Sequence, residues 1–87
     1  MIRLVVSVRD GATGLFGQPW FVVARGQAIR AFTDEVNRKP GDTDLAKHPE
    51  DFELFAVAEF DETTGRFGSL GDPEPLIRGK DCVNVEQ

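Results

Sequence analysis

The sequence predicts an α+β fold in which a small antiparallel sheet of four or five strands packs in two layers against one helix, in the chain order β-β-α-β-β. One segment is rich in β-branched residues and another alternates apolar and polar residues, and each lies beside a cluster of turn formers, which is typical of β-hairpins. One segment between them spaces its apolar residues as a helix does. A helix and a half-buried sheet each have one apolar side, so both sides are expected to meet in a single core.

The first hairpin is predicted from residues 2–23. Residues 2–8, IRLVVSV, are rich in β-branched side chains and are expected to form the first strand. Residues 10–14, DGATG, are turn formers, so residues 15–23 should return antiparallel to that strand. Because Pro19 has no backbone N–H, the returning strand should break near it or lie at a sheet edge.

The helix is predicted over residues 25–38. One helical face carries the apolar residues of this segment, which are Ala28, Ile29, Phe32 and Val36. Its start offers only Gly26 as a tolerable cap. The sequence NRKPG at residues 37–41 is a strong stop signal, since proline and glycine end helices.

The second hairpin is predicted from residues 47–67. A turn begins at Pro49, and a strand with strict alternation follows it. The alternation places Phe52, Leu54 and Phe60 on one face, which should meet the helix in the core. Residues 61–65, DETTG, form a turn that ends on a left-handed glycine. Residues 68–75 are expected to be a turn-rich connector before a short strand, PLIRG.

Length and composition predict one globular domain over residues 1–87, with an ordered part at about residues 2–78 and a tail at about residues 79–87. No apolar run has the length of a membrane span and no signal-peptide pattern is present, so no membrane association is expected. Cys82 is the only cysteine, which fits a reducing compartment. A domain this small exposes two sheet edges, so a homodimer or higher oligomer is expected, with the first hairpin as the contact.

The sequence predicts that the protein is not an enzyme and holds no cofactor or metal. His48, the only histidine, lies in a turn without a partner to orient it as a general acid or base. Cys82 has no second cysteine or histidine nearby in the sequence, as a nucleophile or metal ligand would need. The acidic loop before the second hairpin lacks the spacing of an EF-hand loop, so a solvated surface is expected there. Its acidic residues are Asp42, Asp44, Glu50 and Asp51.

Several local patterns give the chain a family resemblance. They are HPEDF at residues 48–52, AEFD at 58–61, TG at 64–65, QPWF at 18–21 and AIRAF at 28–32. In these patterns the chain resembles, over about residues 2–78, the small non-structural protein of gokushovirus-type microviruses. Those are icosahedral phages with circular single-stranded DNA genomes. The resemblance implies a DNA-binding, replication-associated protein in the host cytoplasm.

The first half of the chain carries the candidate nucleic-acid site. Residues 1–40 hold six basic residues against three acidic ones, whereas residues 41–87 hold four against twelve. Proteins hold single-stranded nucleic acid with aromatic rings that stack on bases and basic groups that contact phosphates. The candidate residues are Arg9, Phe16, Trp20, Arg25 and Arg30. The alternative for Trp20 and Phe16 is that they cover the open edge of a small core.

Two classes of function follow. The first is binding of single-stranded DNA during viral DNA replication or the switch from replication to packaging. The net charge of −5 argues against DNA binding over the whole surface but allows a basic patch on one side. The second is an acidic protein-interaction module, or a nucleic-acid mimic, that recruits or blocks a phage or host replication or assembly protein without binding DNA.

Overall fold

The observed architecture is an antiparallel sheet of five strands with one main helix, which confirms the predicted α+β class. The computed structural model describes residues 1–83. Its strands are β1 (Ile2–Asp10), β2 (Leu15–Phe16), β3 (Trp20–Val22), β4 (Phe52–Asp61) and β5 (Arg66–Arg78). Its helices are α1 (Arg25–Val36) and the short α2 (Asp44–Lys47), with single 3₁₀ turns at Pro49–Asp51 and Gly79–Asp81.

The first hairpin consists of β1 and the two short strands after it. Gly14 closes the turn with a left-handed backbone, φ 75°, and its N–H donates to the Asp10 carbonyl oxygen at 2.8 Å. β2 and β3 both pair antiparallel with β1, and residues 17–19 between them are not in a strand. The predicted break at Pro19 on an edge strand is therefore confirmed, since proline cannot donate to the ladder.

The sheet order is β2–β1–β4–β5, and β3 pairs with β1 as well. β1 therefore lies inside the sheet, with β4 as its other neighbour. The apolar IRLVVSV strand is thus internal. In the first hairpin, β2 and β3 form the sheet edge that another copy could contact. The other outer strand, β5, carries Pro73 and Pro75, which lack the N–H that edge pairing needs.

The second hairpin joins β4 and β5 as predicted. Gly65 is left-handed, φ 74°, and its N–H donates to the Asp61 carbonyl oxygen at 2.7 Å. However, β5 continues without interruption to Arg78, so the prediction of a connector at residues 68–75 and a separate short strand is wrong. The reason is tertiary: two register shifts against β4 and the left-handed Gly71, φ 81°, accommodate the turn-forming residues within the strand.

The core lies between α1 and one face of the sheet. Ala28, Phe32 and Val36 of α1 are buried, as their helical spacing predicts. They pack against buried side chains of the strands, which are Leu4, Val6, Val22, Leu54 and Ala56. The start of α1 has no side-chain cap, also as predicted. The Val23 N–H donates instead to the Gln27 side-chain oxygen at 2.7 Å.

The chain stays packed beyond residue 78, where the ordered part was predicted to end. Cys82 is buried in the core, and its sulfur accepts a hydrogen bond from the Thr33 hydroxyl at 3.4 Å. The Asn37 side-chain N–H donates to the Cys82 carbonyl oxygen at 2.8 Å, which ties this segment to the end of α1. The rest of the predicted tail, residues 84–87, lies outside the described residues.

Candidate nucleic-acid interface

The sheet has a second face, which no helix covers within residues 1–83. Residues directly opposite each other on neighbouring antiparallel strands share a face, so the strand register defines this surface. We call it the open face, and it comprises Arg3, Val5, Ser7, Arg9, Phe16, Phe21, Glu53, Phe55, Ala58, Phe60, Phe67, Ser69, Pro75 and Arg78. Five of the chain's seven phenylalanines lie on it.

The phenylalanines of the open face form two clusters. Phe16 and Phe55 meet edge to face, with ring centroids 5.3 Å apart. Phe60 lies 4.9 Å from Phe67 and 5.3 Å from Phe21, which gives a triad. Phe16, Phe21 and Phe67 remain 43%, 48% and 63% exposed. The rings cover the middle of the sheet and still present aromatic surface to solvent, which is unusual for side chains of this size.

A β-bulge at Val57 creates the triad. Val5 lies opposite Ala58 whereas Val6 lies opposite Ala56, so Val57 is the extra residue of β4. One extra residue reverses the faces of every side chain beyond it. The prediction that Phe60 joins the helix in the core is therefore wrong, because the bulge moves Phe60 to the open face.

The open face is basic although the chain as a whole is acidic. Its strand positions carry three arginines and one glutamate, against a net charge of −5 for the chain. Arg3 forms an ion pair with Glu62 at 3.0 Å. Arg9 and Arg78 form no ion pair within the described part of the chain. Two guanidinium groups on this face are therefore available to phosphates.

A polar pocket of about 240 Å³ lies at one end of the open face. Arg9, Glu53 and Arg78 line it, together with Phe52 at the start of β4 and three residues of the adjoining turns, which are Gly11, Glu50 and Asp51. The Gly11 N–H donates to the Asp51 carbonyl oxygen at 2.7 Å and joins the two turns. The pocket and the Phe16–Phe55 pair are neighbours, since Arg9 lies directly opposite Phe16.

The five residues that the sequence predicts for the site lie on two sides of the sheet. Phe16 and Arg9 are directly opposite each other on the open face. Trp20 lies opposite the buried Val6 on the helix side and packs against the core. Its position agrees with the alternative that Trp20 covers the core, whereas Phe16 is available for stacking.

The two arginines of α1 are also remote from the open face. Arg25 binds the Glu74 carboxylate through Nε and Nη2, both at 2.8 Å. This hydrogen bonding, with the attraction of the charges, raises the pKa of Arg25 and lowers the pKa of Glu74. Arg30 is exposed on α1. The structure thus brings together Arg9 and Phe16, and it separates them from Trp20, Arg25 and Arg30.

Sequence reasoning missed most of the aromatic residues of the open face and two of its arginines. They are Arg3, Phe21, Phe55, Phe60, Phe67 and Arg78. One signal was present, because the alternation of residues 52–60 places Phe55 on the same side as Glu53 and Glu59, the side that should face water. A phenylalanine at a polar position indicates an exposed ring with a binding role or a second packing surface.

The other candidate groups stay dispersed or solvated. The Nδ1 atom of His48 lies 3.9 Å from a Glu50 carboxylate oxygen, and both side chains are about 60% exposed. With Asp51 they could surround a cation, and all three side chains are exposed. In the described part of the chain, no helix is long and apolar enough to cross a membrane.

Comparison with known proteins identifies one family. A family model described as Phage ORF5 protein matches residues 3–82, which is most of the chain. No curated protein matches significantly, and neither does any solved structure.

Proposed function

The chain belongs to the Phage ORF5 protein family, and on that premise we propose that it binds single-stranded DNA on the open face. The binding would serve viral DNA replication or the switch from replication to packaging, in the host cytoplasm. The observation that carries the proposal is the pair of exposed phenylalanine clusters on a sheet face whose charged positions are mainly arginine.

Exposed rings on a sheet face suit unpaired bases. A base can stack on an aromatic ring only when it is not already stacked in a duplex, so this surface favours single strands over double strands. Arg3 and Arg9 lie six residues apart on β1, which is roughly 20 Å along the strand. A bound strand that follows β1 would therefore pass both phenylalanine clusters.

The charge distribution supports binding of the DNA on one face of the sheet. Arg9 and Arg78 can each neutralise one phosphate, and Arg3 could add a third contact if it leaves Glu62. Acidic residues outnumber basic ones at the strand positions of the helix side, where Glu59, Asp61 and Glu74 stand against Arg66. Phosphates are repelled there, so binding is expected on the open face alone.

Fluorescence anisotropy with labelled single- and double-stranded oligonucleotides, at two salt concentrations, tests the proposal. The parent protein should bind the single-stranded oligonucleotide more tightly than the double-stranded one. It should also bind more tightly at low salt than at high salt. Phe67→Ala should weaken binding by about five- to 150-fold, since a stacked base contributes ~1–3 kcal/mol. Leu15→Ala, at a similarly exposed apolar residue on the helix side, is the control.

Circular dichroism must show that both variants stay folded. If a folded Phe67→Ala variant binds as tightly as the parent, the triad is not the stacking surface. If the parent binds no oligonucleotide even at low salt, the DNA-binding proposal is refuted.

An acidic protein-interaction module, or nucleic-acid mimic, is the second candidate. The exposed acidic residues around α2 favour it, and the aromatic open face could equally contact a protein. The partner would be a phage or host replication or assembly protein with a basic surface. Capture of such a partner by a protein that binds no DNA at low salt would support this function over the first.

A further inference from the structure

Three charged side chains cross one end of the open face in a row. Arg9 lies directly opposite Glu53, and Glu53 lies directly opposite Arg78. All three line the polar pocket. Since the Cβ atoms of directly opposed residues are about 5 Å apart, Glu53 has an arginine residue on each side.

The Glu53 carboxylate has unused hydrogen-bonding capacity. Within residues 1–83 it forms no ion pair, even with the arginines beside it, and accepts no hydrogen bond from the protein. The side chain is only half-exposed, in a pocket rather than on a flat surface. An ionised carboxylate offers two acceptor oxygens and no donor. This pocket therefore presents two acceptors to a ligand.

Glu53 is adjacent to a stacking ring. Phe55 lies two residues further along β4 on the same face, which is roughly 7 Å away. Phe16 packs edge to face against Phe55. A base that stacks on this pair would turn one edge towards the Glu53 carboxylate.

We infer that Glu53 selects guanine at this position of the bound strand, an inference that rests on the proposed binding of single-stranded DNA. The Watson–Crick edge of guanine carries two adjacent donors, N1–H and N2–H, which match two carboxylate oxygens. Adenine and cytosine each place an acceptor beside their donor, and thymine flanks its donor with two acceptors. Each of these bases would direct a lone pair at the carboxylate, which is repulsive.

The arrangement of charges fits a base at Glu53 and phosphates beside it. A carboxylate repels phosphate, so the backbone of the strand does not run over Glu53. Arg9 and Arg78 attract phosphates on either side of the pocket and offset two of its three carboxylates, which belong to Glu50, Asp51 and Glu53. Arg9 and Arg78 thus position the backbone of the strand, and Glu53 binds the base.

Competition between oligonucleotides that differ at one base tests the inference. The probes are thymine oligonucleotides of equal length with one central guanine, adenine, cytosine or hypoxanthine, and fluorescence anisotropy gives each Kd. A single guanine avoids quadruplexes. We expect the parent protein to bind the guanine probe about five- to 150-fold more tightly than the all-thymine probe, as for a bidentate contact. Hypoxanthine, which lacks the N2 amino group, should fall between them.

Glu53→Gln should abolish the guanine preference, because an amide offers one acceptor and one donor group. The same variant should bind the all-thymine probe as well as the parent or better, since a negative charge is removed. Glu59→Gln, which removes a charge on the helix side of the same strand, is the matched control and should keep the preference.

The outcomes separate this inference from the proposed function. Salt-dependent binding of every probe with equal Kd overturns the guanine selection and leaves DNA binding intact. A guanine preference that survives in Glu53→Gln overturns the role of Glu53. A parent that binds no probe at low salt overturns both.

Discussion

Removing Arg9 and Arg78 together should flatten the salt dependence of DNA binding. Both lie on the open face and form no ion pair within residues 1–83, so each can hold one phosphate. One phosphate contact on a single strand contributes about 0.7 to the slope of log K against log salt, so the double variant should lose about 1.4. Between 50 and 200 mM salt, the parent should lose about sevenfold more affinity than the variant.

The variant Arg9→Gln, Arg78→Gln is measured by anisotropy with an oligonucleotide that contains one guanine. Its matched control is Arg25→Gln, Arg30→Gln, which removes the same charge from α1 on the other side of the sheet. The control should keep the slope of the parent. If the control flattens the slope and the open-face variant does not, the ligand lies along α1, and the placement of DNA on the open face is refuted.

Three further predictions concern stability and assembly. Gly79→Ala should lower the melting temperature by roughly 5–20 °C, since overpacking costs about 1–3 kcal/mol and the added Cβ would clash with the Pro49 carbonyl oxygen. Gly26→Ala, where a Cβ meets nothing within 4 Å, should not lower it, and equal melting temperatures would contradict the reasoning. Asp61→Asn should destabilise the protein at pH 7 but not in strong acid. The Thr63 N–H holds the pKa of Asp61 below the usual 3.8, so this stability is present above pH 4 and is lost as the pH falls through the lowered value. We also expect light scattering at high micromolar concentration to show a homodimer or higher oligomer. A monomer at that concentration would contradict this prediction.

The local elements of this fold are predictable from sequence because short-range effects determine them. Gly14 and Gly65 take left-handed conformations that few other residues adopt, so the two hairpin turns follow from composition alone. Pro19 interrupts its strand because it has no N–H. The spacing of Phe32 and its neighbours on α1 predicts the face that is buried.

The functional surface depends on long-range pairing that no local pattern contains. Whether Phe60 faces the helix or the open face depends on the bulge at Val57, which exists only because β1 pairs with β4 in that register. The prediction of a connector at residues 68–75 was wrong for a related reason, because pairing with β4 overrides the turn preference of the glycines and prolines.

The sequence by itself determined the α+β class, both turns, the helix and the presence of exposed aromatic and basic groups. Only the tertiary structure decided which of these groups meet. It places Arg9 from β1, Phe16 from β2 and Arg78 from β5 on one face, and it packs Trp20 against the core on the other. The physical reason is that side-chain direction along a strand reverses with every residue, so a register shift of one residue decides which side chains form a surface.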